Sequence, residues 1–290
     1  MNIIVLAKQV PDTRNVGKDA MKEDGTVNRS ALPAIFNPED LNALEQALRI
    51  KEQLPGTTVT LLTMGPYRAA DIIKESLYRG ADNGYLLTDR AFAGADTLAT
   101  SYALATAIRH ICGGTPDLII GGRQAIDGDT AQVGPQVAQK LGINVVTYCE
   151  SINQVSDKSA TITRRLEHGV EEVEAPFPLL ITVTGSAEPC RARNARLLQK
   201  YKHAAIPSEA QAMPEPYKSL WDNKDYLHIG ELSATDVQAD LSKCGLAGSP
   251  TKVKTVESVS FIAKEAKQFG ASEPEIDTLV RELITNHTIG

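Results

Sequence analysis

Much of the usual catalytic and metal-binding vocabulary is missing from this 290-residue chain. Its only cysteines are Cys112, Cys149, Cys190 and Cys244, far apart and without a C-x-x-C pair. That spacing excludes a paired redox motif and a thiolate metal site, and the thiols read as reduced and structural. His110, His168, His203, His228 and His287 are equally scattered, with no H-E-x-x-H, so no protein-bound metal is expected. There is no G-x-G-x-x-G after a strand, no G-x-x-x-x-G-K-[ST] and no G-x-S-x-G. The usual dinucleotide fingerprint, the P-loop and the hydrolase elbow are therefore all excluded. No apolar run approaches membrane-spanning length, and the opening MNIIVLAKQV lacks the features of a signal peptide. The expectation is a cytoplasmic protein without an integral membrane segment. A formal net charge of −6 argues against nucleic acid as a partner.

What is present is a rhythm of strands and helices. Residues 2–8 are apolar and β-branched and stop at Pro11, which predicts a first strand. Asn37 caps a predicted helix over 39–53, with Leu41, Leu44 and Leu48 on one face and a Glu45–Arg49 pair. Strands at 57–63, 84–87, 118–120 and 145–149 alternate with helices at 69–78, 97–112 and 133–141. In the second of these helices Leu98, Tyr102, Ala105, Ile108 and Cys112 form a stripe, and Asp96 is its cap. Such alternation predicts an α/β fold: a doubly wound, mostly parallel sheet in a Rossmann-like three-layer αβα arrangement. Residues 158–174 alternate about a His168-Gly169 turn and predict a β-hairpin insertion, followed by a strand at 179–184. Residues 203–222 read as a linker. Ser233-Ala-Thr-Asp236 and Ser272-Glu-Pro-Glu275 are helix-start signatures in a C-terminal helical arm. The expected domains are 1–222, binding the nucleotide, and the arm at 223–290.

Residues 121–135, GGRQAIDGDTAQVGP, are the most informative run. They join a buried strand to a helix start, and Asp129-Thr-Ala-Gln132 has capping-box spacing. Doubly wound sheets bind ligands at the carboxyl ends of their strands, often with phosphate on a helix N-terminus. Leu6 to Lys8, residues 63–65, the 121–135 loop and residues 92–97 all fall at such ends. The loop holds Asp127 and Asp129 against one cation, Arg123. Two carboxylates disfavour a triphosphate without a metal, so the chemistry favours AMP or the adenine half of FAD over ATP.

These residues carry a family. The chain resembles the β subunit of electron transfer flavoproteins, specifically the bifurcating type. The matching segments are Lys8-Gln9-Val10-Pro11-Asp12, Asn37-Pro38, Met64-Gly65-Pro66, Arg79-Gly80-Ala81-Asp82, Gly122-Arg-Gln-Ala-Ile-Asp127, Glu188-Pro189 and Gly248-Ser-Pro-Thr-Lys-Val253. They occur in family order and span almost the whole chain. The resemblance implies a heterodimer with an FAD-holding α subunit, on which the C-terminal arm docks, and a nucleotide in the crevice of this chain. By matched position its contacts fall at Leu6, Ala7 and Lys8, at Asn37, Pro38, Glu39 and Asp40, and at Met64. They continue through Gly122, Arg123, Gln124, Ala125, Ile126 and Asp127 into Gly128, Asp129, Thr130, Ala131, Gln132, Val133, Gly134 and Pro135.

The DGDTAQVGP loop and the segment 92–100 are similar to the bifurcating branch, where this subunit holds a full FAD. Gly94, Ala95, Asp96 and Thr97, with Thr100, would then receive the pyrophosphate and ribityl portion that AMP lacks. The plainer reading makes Asp96 a helix cap and Gly94 a turn residue. The branch implies a redox subunit of an NADH-dependent complex: NADH reduces the FAD of this chain, one electron goes to ferredoxin or flavodoxin, and the other passes through the α-subunit FAD. The last acceptor would be a flavin-dependent dehydrogenase or reductase. The alternatives are an ordinary electron carrier with structural AMP here, or an adenine-nucleotide-binding module without a redox role. Partner contact is expected at Glu188, Arg191, Arg193, Asn194 and Arg196. Many family members place an anchoring leucine in this segment, where this chain has polar Asn194, which points to a dedicated partner in a stable complex.

Overall fold

A computed structural model describes residues 1–12, 33–251, 266–286, 288 and 289. The strands are β1 (Asn2–Leu6), β2 (Gln9–Pro11), β3 (Ala34–Phe36), β4 (Thr58–Met64), β5 (Asn83–Leu87), β6 (Leu118–Gly122), β7 (Asn144–Val155), β8 (Ser159–Leu166), β9 (Gly169–Pro176), β10 (Leu179–Val183) and β11 (Gly230–Leu232). The helices are α1 (Pro38–Gln53), α2 (Ala70–Arg79), α3 (Thr97–Cys112), α4 (Val133–Leu141), α5 (Ala195–Lys200), α6 (Pro207–Ala210), α7 (Tyr217–Asp222) and α8 (Glu273–Thr285). The chain divides into two compact units, Met1–Lys254 and Thr255–Gly290.

The first unit is built on one sheet in the order β11-β5-β4-β1-β6-β10-β7-β8-β9. From β11 to β7 the pairs are parallel; β8 and β9 continue from β7 in antiparallel pairing. The expected hairpin insertion therefore extends the main sheet at its edge. Strands covered on both faces are apolar on both, as β1 and β10 are. On one face Ile3, Val5, Leu118, Ile120 and Ile181 meet Ala43, Leu44 and Leu48 of α1 and Ile73 and Leu77 of α2. On the other, Ile4, Leu6, Ile119 and Leu180 meet α3 and α4. These are the three layers the alternation predicts.

Four local readings change. On α3 the expected stripe is met only in part: Ala105 and Ile108 are buried, Tyr102 and Cys112 are half-buried and Leu98 is 40% exposed, while the buried face also takes in Ala103, Leu104 and Ala107. The small alanines let the helix approach the sheet, and the stripe omits two of them, Ala103 and Ala107. Residues 203–222 are no linker: Ala204, Ala205, Ile206 and Ala210 are buried, and Trp221 donates to the Ala205 carbonyl. The first compact unit also runs past 222, because β11 pairs with β5 and Leu232, Val237 and Cys244 join the second core face. Ser233 and Asp236 exchange backbone and side-chain hydrogen bonds as a helix start would, but only a turn follows. In the second unit Ser272 does stand at the start of α8 and bonds Glu275. Of the family-matched tail segment, Lys252 and Val253 lie outside the described residues.

Candidate functional site

The chain leaves β1 for β4 and β5 on one side and returns to β6 on the other. The carboxyl ends of β1 and β6 therefore flank the topological switch point, where open α/β sheets hold ligands. Leu6 and Ala7 are buried at the end of β1, and the Ala7 N–H bonds the Leu62 carbonyl.

Three residues at the start of α1 tie the two strand ends together. Asn37 stands at the N-cap position but does not cap the helix with its side chain. Fully buried, it instead donates Nδ2 to the Gln124 carbonyl at 2.9 Å and accepts the Ile126 N–H at 3.1 Å. Glu39 accepts the Gln124 N–H at 2.9 Å and the Arg123 guanidinium at 3.0 Å. Asp40 accepts the Lys8 N–H at 2.8 Å and the Gly122 N–H at 2.9 Å. Burial pushes the Asp40 carboxyl up to about 7, against the pull of these hydrogen bonds. The approach of α1 explains Gly122: a Cβ there would sit 2.3 Å from Asp40 Oδ1. Pro38 fills the first helical position of α1, where no N–H is needed.

The acidity of the loop is largely met from within. Lys8 Nζ pairs with Asp127 at 2.7 Å, and Gln124 Nε2 donates to Asp129 Oδ1 at 2.9 Å. The expected capping box does not form. Asp129 and Ala131 have φ of 48° and 52°, and α4 begins only after Gln132, so the Asp129 carboxylate is not used as its cap. Gln132 instead accepts from Thr97 Oγ1 at 2.9 Å. Among the described residues, no intrachain hydrogen bond takes up the N–H groups of Thr130, Ala131, Gln132, Val133 and Gly134. Unpaired donors at a helix start, next to two left-handed residues, form the kind of concavity that receives phosphate oxygens. The donor set fits a nucleotide's phosphate or pyrophosphate. Gly134 is needed here as well, since a Cβ would lie 2.7 Å from Thr182 Cγ2.

A second helix start lies alongside. Asp96 caps α3 by accepting the Ala99 N–H at 3.0 Å. The same carboxylate accepts Thr251 Oγ1 at 2.6 Å and the Thr251 N–H at 3.1 Å, and the Asp96 N–H bonds Ser249 Oγ at 2.8 Å. Burial works to raise this carboxyl, but those hydrogen bonds outweigh it and hold it below its usual value. Gly94, at φ 72°, packs under Leu246, and Thr100 closes the first turn onto Asp96. Thr97 thus joins the two helix starts through Gln132 and, at 3.4 Å, Gln136. Met64 ends β4, half-buried against the second core face.

The expected partner segment is partly turned inward. Arg191 pairs with Glu45 at 2.8 Å and also with Glu52, so the close ion pair of Glu45 is with Arg191, and Arg49 adds its charge from farther off. Burial alone would raise the Glu45 carboxyl; the Arg191 hydrogen bonds and charge together hold it low. Asn194 caps α5, and the Glu188 carbonyl accepts from Asn42. Arg193 and Arg196 are exposed.

Sequence reasoning missed Tyr148. It has φ 60° at an irregularity of β7, and the Arg123 guanidinium lies 5.6 Å from its ring centroid. V-V-T-Y-C reads simply as strand, and nothing in it announces a left-handed residue. Also missed was the latch from Asp96 to Ser249 and Thr251, whose only sequence signal was the family-matched Gly248-Ser-Pro-Thr run. Among the described residues no three His, Cys, Asp or Glu side chains converge as a metal site. No described helix is long and apolar enough to cross a membrane.

A doubly wound, mostly parallel sheet with an uncapped helix start at its switch point defines a three-layer α/β protein. The family follows from comparison: residues 24–211 match the electron transfer flavoprotein domain, and the chain belongs to the electron transfer flavoprotein family. It is 43% identical over 260 residues to electron transfer flavoprotein subunit beta of Megasphaera elsdenii, covering 88% of this chain and 87% of that protein. It is 42% identical over 253 residues to the caffeyl-CoA reductase-Etf complex subunit CarD of Acetobacterium woodii, covering 87% and 86%. It is 38% identical over 289 residues to the acryloyl-CoA reductase electron transfer subunit gamma of Anaerotignum propionicum, covering 100% of both.

Proposed function

We propose that this β-type electron transfer flavoprotein chain holds FAD in its switch-point crevice and serves, with an α subunit, as the NADH-oxidising part of a bifurcating complex. The observation that carries the reading is the pair of adjoining helix starts. The unpaired N–H groups of residues 130–134 suit one phosphate group; the neighbouring start of α3 is already capped by Asp96, and what it adds for a ligand longer than AMP is the polar Thr97 side chain, joined to Gln132. The names of two relatives, each a subunit working with an acyl-CoA-type reductase, support a reductase as the final partner.

Bound FAD would supply the conversion between two-electron exchange with NADH and one-electron exchange with ferredoxin or flavodoxin and the α-subunit flavin. The residues of this chain bind and orient. Asn37, Glu39 and Asp40 hold the loop at Ile126, Gln124 and Gly122, ahead of the unpaired N–H groups of residues 130–134. Lys8 and Arg123 offset the carboxylates that would otherwise repel the two phosphate charges. Arg193 and Arg196 would face the partner reductase, while Arg191 and Asn194 shape the segment that carries them. Residues 255–290 would dock on the α subunit. Extraction of the purified αβ complex tests the reading: two FAD per pair are expected. One FAD with one AMP would leave an ordinary carrier, and no flavin would leave a nucleotide-binding module.

A further inference from the structure

Tyr148 is, among the described residues, the one aromatic side chain held at positive φ, and nothing assigned so far explains it. A bulky residue in the left-handed region is a backbone outlier that persists only where its surroundings impose it, and such residues gather at functional sites. The surroundings here are specific. The Tyr148 N–H donates to Thr182 Oγ1 at 3.3 Å, and Thr182 is the residue against which Gly134 packs. Thr182 therefore stands between Tyr148 and a free N–H of the phosphate cradle. The β7 ladder shifts register beside it, between Ile181 and Val183. The ring is not spent on the core, since Tyr148 remains 41% exposed. The Arg123 guanidinium, fixed on its other side by Glu39 at 3.0 Å, lies over it.

We propose that Tyr148, backed by Arg123, is a stacking platform for a planar ring of the nucleotide bound in this crevice. The inference rests on the crevice holding a nucleotide. An aromatic ring presented on β7 level with the carboxyl ends of β10 and β6, one side chain away from the phosphate donors, is placed to bind the heterocycle that the phosphates anchor. Tyrosine supplies a flat face at little conformational cost, and the guanidinium offers N–H donors to the acceptor atoms at a ring's edge. The left-handed backbone would be the means by which the ring leaves the sheet face and reaches the rim.

The test uses the αβ complex, stripped of nucleotide and titrated separately with FAD and AMP. Y148F keeps the ring and should bind within about twofold of wild type. Y148A and Y148G should each lose about tenfold, roughly 1.4 kcal/mol. Glycine relieves the positive φ, so equal losses in both variants separate ring stacking from backbone strain. Loss confined to FAD assigns the platform to the flavin ring and should bring less quenching of the bound flavin's fluorescence. Equal loss for FAD and AMP assigns it to adenine. Unchanged affinity for both ligands, rescue by Y148G, or a Y148A complex that sheds its α subunit would overturn the proposal. A wild-type complex that binds neither nucleotide would instead overturn the reading of the crevice itself.

Discussion

Replacing Asp40 by asparagine probes the joint on which the crevice hangs. The carboxyl is buried, accepts the Lys8 and Gly122 N–H groups, and titrates near pH 7 in the fold against 3.8 without it. A raised carboxyl favours the protonated form in the folded state. Its contribution to stability is therefore greatest below about pH 4, falls as the pH climbs to about 7, and levels off above that. Each tenfold change in relative proton affinity is worth about 1.4 kcal/mol, so wild type should lose roughly 2.5 kcal/mol between about pH 5 and pH 8 through this group. D40N has no proton to release and should escape that loss. Its amide can still accept one N–H but meets the other with a donor, a cost of roughly 1–3 kcal/mol that does not vary with pH. Urea unfolding of the two complexes, measured side by side across this range, should show wild-type stability falling relative to D40N by roughly 2.5 kcal/mol as the pH rises. Parallel profiles would refute the reasoning and show that Asp40 is ionised throughout.

Two further substitutions follow from the same geometry. G122A puts a Cβ 2.3 Å from Asp40 Oδ1 and 2.8 Å from the Asp40 nitrogen, so α1 must move off β6. A loss of about 3 kcal/mol or more in unfolding and failure to retain nucleotide after gel filtration are expected. R191A leaves the Glu45 carboxylate, only 10% exposed, without its cation. It should cost roughly 2 kcal/mol and lower Tm by about 5 °C. Glu45 is held below its usual value, so that stability is present above about pH 4.5 and lost in acid, and R191A should be less acid-sensitive than wild type.

The layers were legible because a parallel sheet covered on both faces must write its strands as short apolar runs, as 2–6, 58–64 and 118–120 do. Helix starts were legible where a side chain performs the capping, as Asp96 does. They were misread where tertiary partners claim the side chain. Asn37 was diverted to the 122–126 loop, and Asp129 was carried out of position by its own positive φ. The stretch at 203–222 looks loop-like because its buried residues are mostly alanines, which leave no apolar rhythm. Within the crevice, residue types and order could be read from the sequence, but the pairing could not. Lys8 answers Asp127 from 119 positions away, a relation only the register of β1 beside β6 creates. Tyr148 was invisible for a similar reason, since its conformation is imposed by β10 and not by its neighbours in the chain.

The most direct test of FAD in this crevice is the cofactor content of the purified αβ complex, read as flavin absorbance and nucleotide chromatography after denaturation. Two FAD per αβ pair and no AMP are predicted. One FAD together with one AMP would contradict the flavin assignment.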